Sequence, residues 1–158
     1  MANITILPCI FLSVFNFIPS SFADSKIHFH NVTYHRCYHA HSCFVTIPGV
    51  PSIFGDVLLV RIAGIDTPEI LGECDQEKKL ANEARNFVNT VLHNAKEIDL
   101  YEIERGEHFN LVAKIMANGK NLSELMVKKE FALRQKDPPK KRNWCQSLKK
   151  TEKTSTTP

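Results

Sequence analysis

Between Met1 and Ala23 the chain carries no charged side chain. The apolar run there, Ile4 to Ile18, is interrupted by Pro8 and by polar residues, and falls short of the ~20 residues a membrane-spanning helix needs. Small residues at Ser21 and Ala23 follow Pro19, in the pattern a signal peptidase reads. The expectation is a signal peptide over residues 1–23, cleaved after Ala23, with no membrane span in the mature chain. No segment repeats. No single charge sign dominates either: 20 Lys and Arg face 17 Asp and Glu, and a net charge of +3 permits an anionic partner without demanding one. An apolar share of 43% against 23% charged excludes a disordered chain, and 158 residues make one domain of ordinary size.

Cysteine is sparse but even in number once Cys9 departs with the signal. Cys37, Cys43, Cys74 and Cys145 remain, and four cysteines in an exported chain argue for disulfides. Three pairings exist. The favoured one joins Cys74 to Cys145, tying the C-terminal segment to the start of a helix, and Cys37 to Cys43 within one hairpin or turn. Free or metal-bound thiols are the alternative, because Cys37 and Cys43 flank a histidine cluster.

Ile27, Phe29, Val32 and Tyr34 give a partial period of two, and Phe44, Val45 and Ile47 suggest a second strand before the Pro48-Gly49-Val50-Pro51 loop. Val57 to Ile65 reads as a buried strand that Pro68 prevents from continuing. From Asp75 to Ala95, the residues Leu80, Ala84, Phe87, Val88, Val91, Leu92 and Ala95 recur at helical spacing, with Asp75 as N-cap and Glu77 suited to the helix dipole. Strands are predicted over Ile98–Ile103 and Leu111–Ala117, with Arg105-Gly106 in the turn between them. A second helix is predicted over Leu122–Leu133, with Asn121 and Glu124 as a capping box. The tail, residues 136–158, holds seven Lys or Arg against two acids and is read as extended apart from a tether at Trp144-Cys145. Three strands, a helix, two strands and a helix suit an α+β fold: a five-stranded Greek-key β-barrel of the oligonucleotide-binding (OB) type with two packed helices. The domain is placed at residues 24–135.

Val60-Arg61-Ile62-Ala63-Gly64-Ile65-Asp66-Thr67-Pro68-Glu69 resembles the signature of the staphylococcal nuclease family. Leu111-Val112-Ala113, Asn118-Gly119-Lys120 and Asn121-Leu122-Ser123-Glu124 extend the resemblance over residues 26–135. Pro48-Gly49 before the signature, Cys74 after it and the closing Trp144-Cys145 are similar to exported bacterial members. The resemblance implies phosphodiester hydrolysis by an in-line water. Calcium is held by two aspartates, a carboxylate acts as base, and two arginines stabilise the phosphate. It assigns Arg61 to the phosphate, Asp66 and the Thr67 carbonyl to the metal, and Glu69 to the base.

Three expected residues are missing. Counting back from Pro48-Gly49, His41 stands where the second calcium aspartate belongs and His39 replaces another acid. The second phosphate arginine falls on Asn110, two residues after His108, itself a candidate nucleic-acid contact. Asp56, ten residues before Asp66 on one strand, lies too far away to share an ion, and Arg105 lies in a turn. Imidazole favours zinc, copper, nickel or iron over calcium.

Three readings follow. In the first, the domain has lost calcium-dependent turnover and binds DNA or RNA independently of sequence. In the second, the nuclease has changed metal, using a transition ion at His39, His41, Asp66 and Glu69. The third is a weak hydrolase built on Arg61 and Glu69, with metal held by Asp66 alone. His39 and His41 are expected to share one strand face, as do His28 and His30. The chain is read as a monomer of the bacterial periplasm or extracellular space.

Overall fold

A computed structural model describes residues 27–106, 110–135 and 142–146; the expected signal peptide, His108 and most of the basic tail lie outside them. Strand β1 (Thr33–His39) and strand β2 (Ser42–Thr46) form an antiparallel hairpin turned by Ala40 and His41. After a 3-10 turn at Ser52–Phe54, β3 (Leu58–Ile62) lies antiparallel to β2. β3 does not run on to Ile65 as expected. It stops where Gly64 takes φ +75°, a left-handed conformation suited to glycine, and β4 (Ile65–Asp66) leaves in a new direction to pair with β8 (Leu133–Arg134).

Helix α1 (Asp75–His93) follows, then β5 (Ile98–Arg105), β6 (Leu111–Ala117), β7 (Lys120–Asn121) and α2 (Leu122–Lys128). The main sheet has the order β1-β2-β3-β6-β5, with β7 on β6; β3 and β6 are parallel and the other pairs antiparallel. This is an α+β fold. The sheet is not closed by a ladder between β1 and β5. Instead Phe29 and Leu100 exchange backbone hydrogen bonds of 2.9 and 2.8 Å, and the Val32 N–H donates to the Ile98 carbonyl at 2.9 Å. The arm leading into β1 thus bridges the two ends of the sheet.

The buried face of α1 is Glu77, Ala81, Ala84, Val88 and Leu92. Its spacing is helical, but Leu80 is only half-buried and a carboxylate extends the apolar stripe. The N-cap is Cys74, not Asp75, and no side chain caps the helix. α2 ends at Lys128, well before Leu133. Glu130 adopts φ +61°, and the N–H groups of Phe131 and Glu130 donate to the carbonyls of Met126 and Val127. That is a Schellman ending, and it frees Leu133 to enter β8. Asn121 caps α2 by accepting from the Ser123 N–H, while Glu124 reaches Arg134 at 2.6 Å instead of closing a capping box. Arg105 ends β5 opposite Leu111 and is not in the turn. Among the described residues no helix is long and apolar enough to cross a membrane.

Both favoured disulfides are present: Cys37–Cys43 across the β1–β2 hairpin, and Cys74–Cys145 from the start of α1 to the C-terminal segment. They span 6 and 71 residues. A cross-link stabilises mainly by restricting the unfolded chain, so the longer loop contributes ~4 kcal/mol and the shorter ~2 kcal/mol. Replacing Cys74 and Cys145 together by Ala is expected to lower stability in urea about twice as much as replacing Cys37 and Cys43. Equal losses would show that native contacts, not loop length, set the difference.

Candidate functional site

The hairpin turn delivers the first site residue. His41 lies in the turn and is 8% exposed, so it does not alternate along one strand with His39. Its Nδ1 is hydrogen-bonded to the hydroxyl of buried Thr67 at 2.6 Å, and its backbone carbonyl accepts from the Ile62 N–H at 2.8 Å. Burial, then the positive field of Arg61 and of His39, push the imidazole pKa down to about 4, so His41 is neutral at pH 7. The rings of His39 and His41 nevertheless stack, 5.5 Å apart and within 5° of parallel.

Asp66 ends β4, just beyond the Gly64 break. Its neighbours come from the far end of the chain. The Arg142 Nε lies 3.9 Å from Asp66 Oδ2, and the Trp144 indole N–H faces the same carboxylate. Burial raises the carboxyl pKa; Arg142, Arg61 and Trp144 oppose that rise, and Glu77 adds to it. Neither Asp66 Oδ2 nor Trp144 Nε1 makes a well-directed hydrogen bond, so proximity rather than bonding couples them. The Cys74–Cys145 bond sets Arg142 and Trp144 beside the signature.

Glu69 sits on a short loop wrapped around Glu77. The Glu69 N–H donates to Glu77 Oε1 at 3.2 Å and the Glu73 N–H to Oε2 at 3.1 Å. Gly72 lies so close that a Cβ there would collide with the Glu77 carboxyl, and its N–H donates to the Glu69 carbonyl at 2.9 Å. The Cys145 sulfur also touches Glu77 Oε2 at 3.3 Å; a disulfide sulfur has no proton, so this is packing and not donation. The Glu69 carboxylate is half-exposed, 3.8 Å from His39 Nδ1 and too far for a hydrogen bond.

Arg61 is exposed and level with Ser42 on β2, which is itself level with His39 on β1. Its charge is felt at both His41 and Asp66. Asn110 precedes β6, and its carbonyl accepts from the Gly106 N–H at 2.8 Å. Asp56 lies before β3, at the end opposite Asp66, where its carbonyl accepts from Thr46. Because the chain turns at Gly64, the two aspartates are not on one extended strand. The sequence pattern missed three roles: those of Arg142 and Trp144 beside Asp66, and that of Glu77 as anchor of the loop. A charged residue inside the apolar stripe of α1 was the available signal for Glu77.

Calcium does not fit these residues. It takes six to eight oxygen ligands, whereas His41 is a neutral imidazole hydrogen-bonded to Thr67 and Asp66 faces a guanidinium. Among the described residues, only Cys74, Glu77 and Cys145 bring three candidate ligand atoms within 4.8 Å of one another, and those two sulfurs are joined to each other.

His41 makes stability depend on pH. The unfolded imidazole titrates near 6.5 and the folded one near 4, so stability falls as pH drops from 6.5 to 4 and the loss is complete below that. This span corresponds to ~3 kcal/mol. The raised carboxyl of Asp66 acts in the opposite sense in the acidic range, so the comparison that isolates His41 is wild type against His41→Gln. The variant is expected to lose most of the slope between pH 6.5 and 4 in urea titrations. Separately, Glu77→Ala strands two N–H donors and is expected to cost ~3 kcal/mol, and Glu77→Gln less. Amide hydrogen exchange at Glu69 and Glu73 should speed up in the Ala variant; unchanged exchange would mean the loop is held elsewhere.

A search of the curated proteins found no match. The staphylococcal nuclease homologue family model matches residues 59–156, from β3 through the C-terminal segment and short of the β1–β2 hairpin. With more than half of its residues in that match, including Arg61, Asp66, Thr67 and Glu69, the chain belongs to the staphylococcal nuclease homologue family.

Proposed function

We propose that this is an exported member of the family in which calcium-dependent phosphodiester hydrolysis is lost or strongly reduced, and which binds DNA or RNA through sequence-independent phosphate contacts. The observation that carries the reading is the partner of Asp66. The carboxylate that should meet a metal ion faces the guanidinium of Arg142 instead, and His41 is neutral and engaged with Thr67.

Each remaining group has a role in binding. Arg61 presents an exposed guanidinium, the side chain best matched to a phosphate by paired hydrogen bonds. Arg142, one-third exposed, adds a second cation whose field, like that of Arg61, reaches Asp66. Glu69 keeps the base position that the resemblance assigns, without the full set of partners the chemistry needs. An electrostatic donor of the kind missing at Asn110 is typically worth ~3–4 kcal/mol, or ~100–1,000-fold in rate. The tail's Lys and Arg add a salt-sensitive, sequence-blind attraction. Two disulfides are compatible with export.

The transition-metal reading rests on the His39–His41 stack. Imidazole lone pairs lie in the ring planes, and two stacked parallel planes do not meet at one ion. The histidine positions therefore favour the binding reading over a changed metal.

The deciding assay is cleavage of single-stranded DNA and RNA in EDTA, calcium, zinc, manganese and nickel, with Glu69→Gln as control. The expected result is no cleavage above that control in any condition. Binding to the same strands should persist in EDTA. Arg61→Ala should weaken it equally for DNA and RNA and reduce the slope of log affinity on log salt by ~0.7. Calcium-dependent cleavage abolished in Glu69→Gln would make this an ordinary family nuclease, and cleavage with a transition metal alone would move the reading to the histidines.

A further inference from the structure

We infer that His28 and His30 form a second site, away from the Asp66 cleft, that binds one divalent transition-metal ion of the zinc or copper kind. The two residues lie on the arm that bridges the sheet. Phe29 between them pairs with Leu100 and packs against the core, so the alternation of an extended chain puts both histidines on the outer face. Their ring centroids are 5.1 Å apart with planes at 68°. Two imidazoles on one tetrahedral ion, with metal–nitrogen distances of ~2.0–2.1 Å, place their centroids ~5 Å apart. Planes inclined at this angle are compatible with both rings facing one ion.

A carboxylate completes the arrangement. His30 Nδ1 lies 3.2 Å from Asp99 Oδ1, and that oxygen also accepts from the Asn31 N–H at 3.0 Å. Asp99 is 9% exposed, so the acceptor is fixed rather than free to follow solvent. An Nδ1–H directed to a carboxylate leaves the ring's lone pair on Nε2 and makes that nitrogen more basic, the usual support of a metal-binding histidine. Tyr101, two residues along β5, packs against both rings, stacked on His28 at 5.9 Å and edge-on to His30 at 5.7 Å. Imidazole nitrogen selects zinc, copper or nickel over calcium and magnesium. Water supplies the open positions.

Such an ion would stiffen the arm whose hydrogen bonds from Phe29 and Val32 to β5 bridge the sheet. Metal supply would therefore be read as stability.

Zinc chloride titrated calorimetrically into the untagged full chain is expected to show one ion per chain and to raise the thermal midpoint. His28→Ala and His30→Ala should each weaken binding at least ~10-fold and abolish the thermal shift, and Asp99→Asn should weaken it by ~10-fold. Both histidines are exposed, so their variants should keep the wild-type far-ultraviolet circular dichroism. Absence of saturable zinc binding overturns the site. So does binding that survives both histidine variants, or that is lost in His39→Ala instead. Since the nuclease-cleft reading is tested by cleavage and oligonucleotide binding, neither proposal's failure implies the other's.

Discussion

A carboxylate on the buried face of a helix must find donors or stay at the surface, and Glu77 meets that condition by drawing the chain around itself. Its two oxygens take the N–H groups of Glu69 and Glu73. For both to arrive, the loop must lie flush against the carboxyl, which is why only glycine fits at position 72. The bridge between Cys74 and Cys145 then packs on the same oxygen. The loop carrying the candidate base, the start of α1 and the C-terminal tether thus share one buried acid. A group of this kind adds little net stability when satisfied, but its removal leaves unpaired buried donors, so its contribution is to position rather than to strength.

The same physics governs His41. An imidazole inside the hairpin turn, with Arg61 near it, is cheapest as the neutral form, and the Thr67 hydroxyl satisfies one nitrogen. A neutral, engaged histidine is a poor substitute for a carboxylate ligand. It serves better as a joint: it ties the β1–β2 hairpin, through Thr67, to the signature segment that also bears Asp66 and Glu69. The family positions survive here partly as architecture. Thr67, assigned to the metal through its carbonyl, contributes its hydroxyl to the core.

What could be read in the sequence and what could not divide along physical lines. Helix α1, strands β5 and β6 and the two disulfides were legible because periodicity and cysteine parity are local or arithmetical signals. The break at Gly64, the early end of α2 and the two-residue strands β4, β7 and β8 depend on single left-handed residues and tertiary pairing, which periodicity does not carry. Arg61, Asp66, Thr67 and Glu69 could be named from a contiguous motif. Arg142 could not, because its place beside Asp66 is set by a covalent bond spanning 71 residues and not by any spacing along the chain. The pairing of His39 with His41 was anticipated for the wrong reason: they meet across a turn, not along a strand.

Charge balance connects two features that look independent. The family arrangement, as the resemblance gives it, sets two aspartates against a doubly charged ion. Here His41 is a neutral imidazole, and a positive charge from Arg142 stands next to Asp66. A half-buried carboxylate without a counter-charge is costly, and its pKa is raised as it is. Were calcium to enter, it would have to displace a guanidinium held at the end of a disulfide tether, in exchange for one carboxylate and few further oxygens. The neutral imidazole of His41 and the guanidinium of Arg142 thus bear on one electrostatic problem: the first adds no charge to the cleft, and the second supplies from the chain itself a cation beside Asp66.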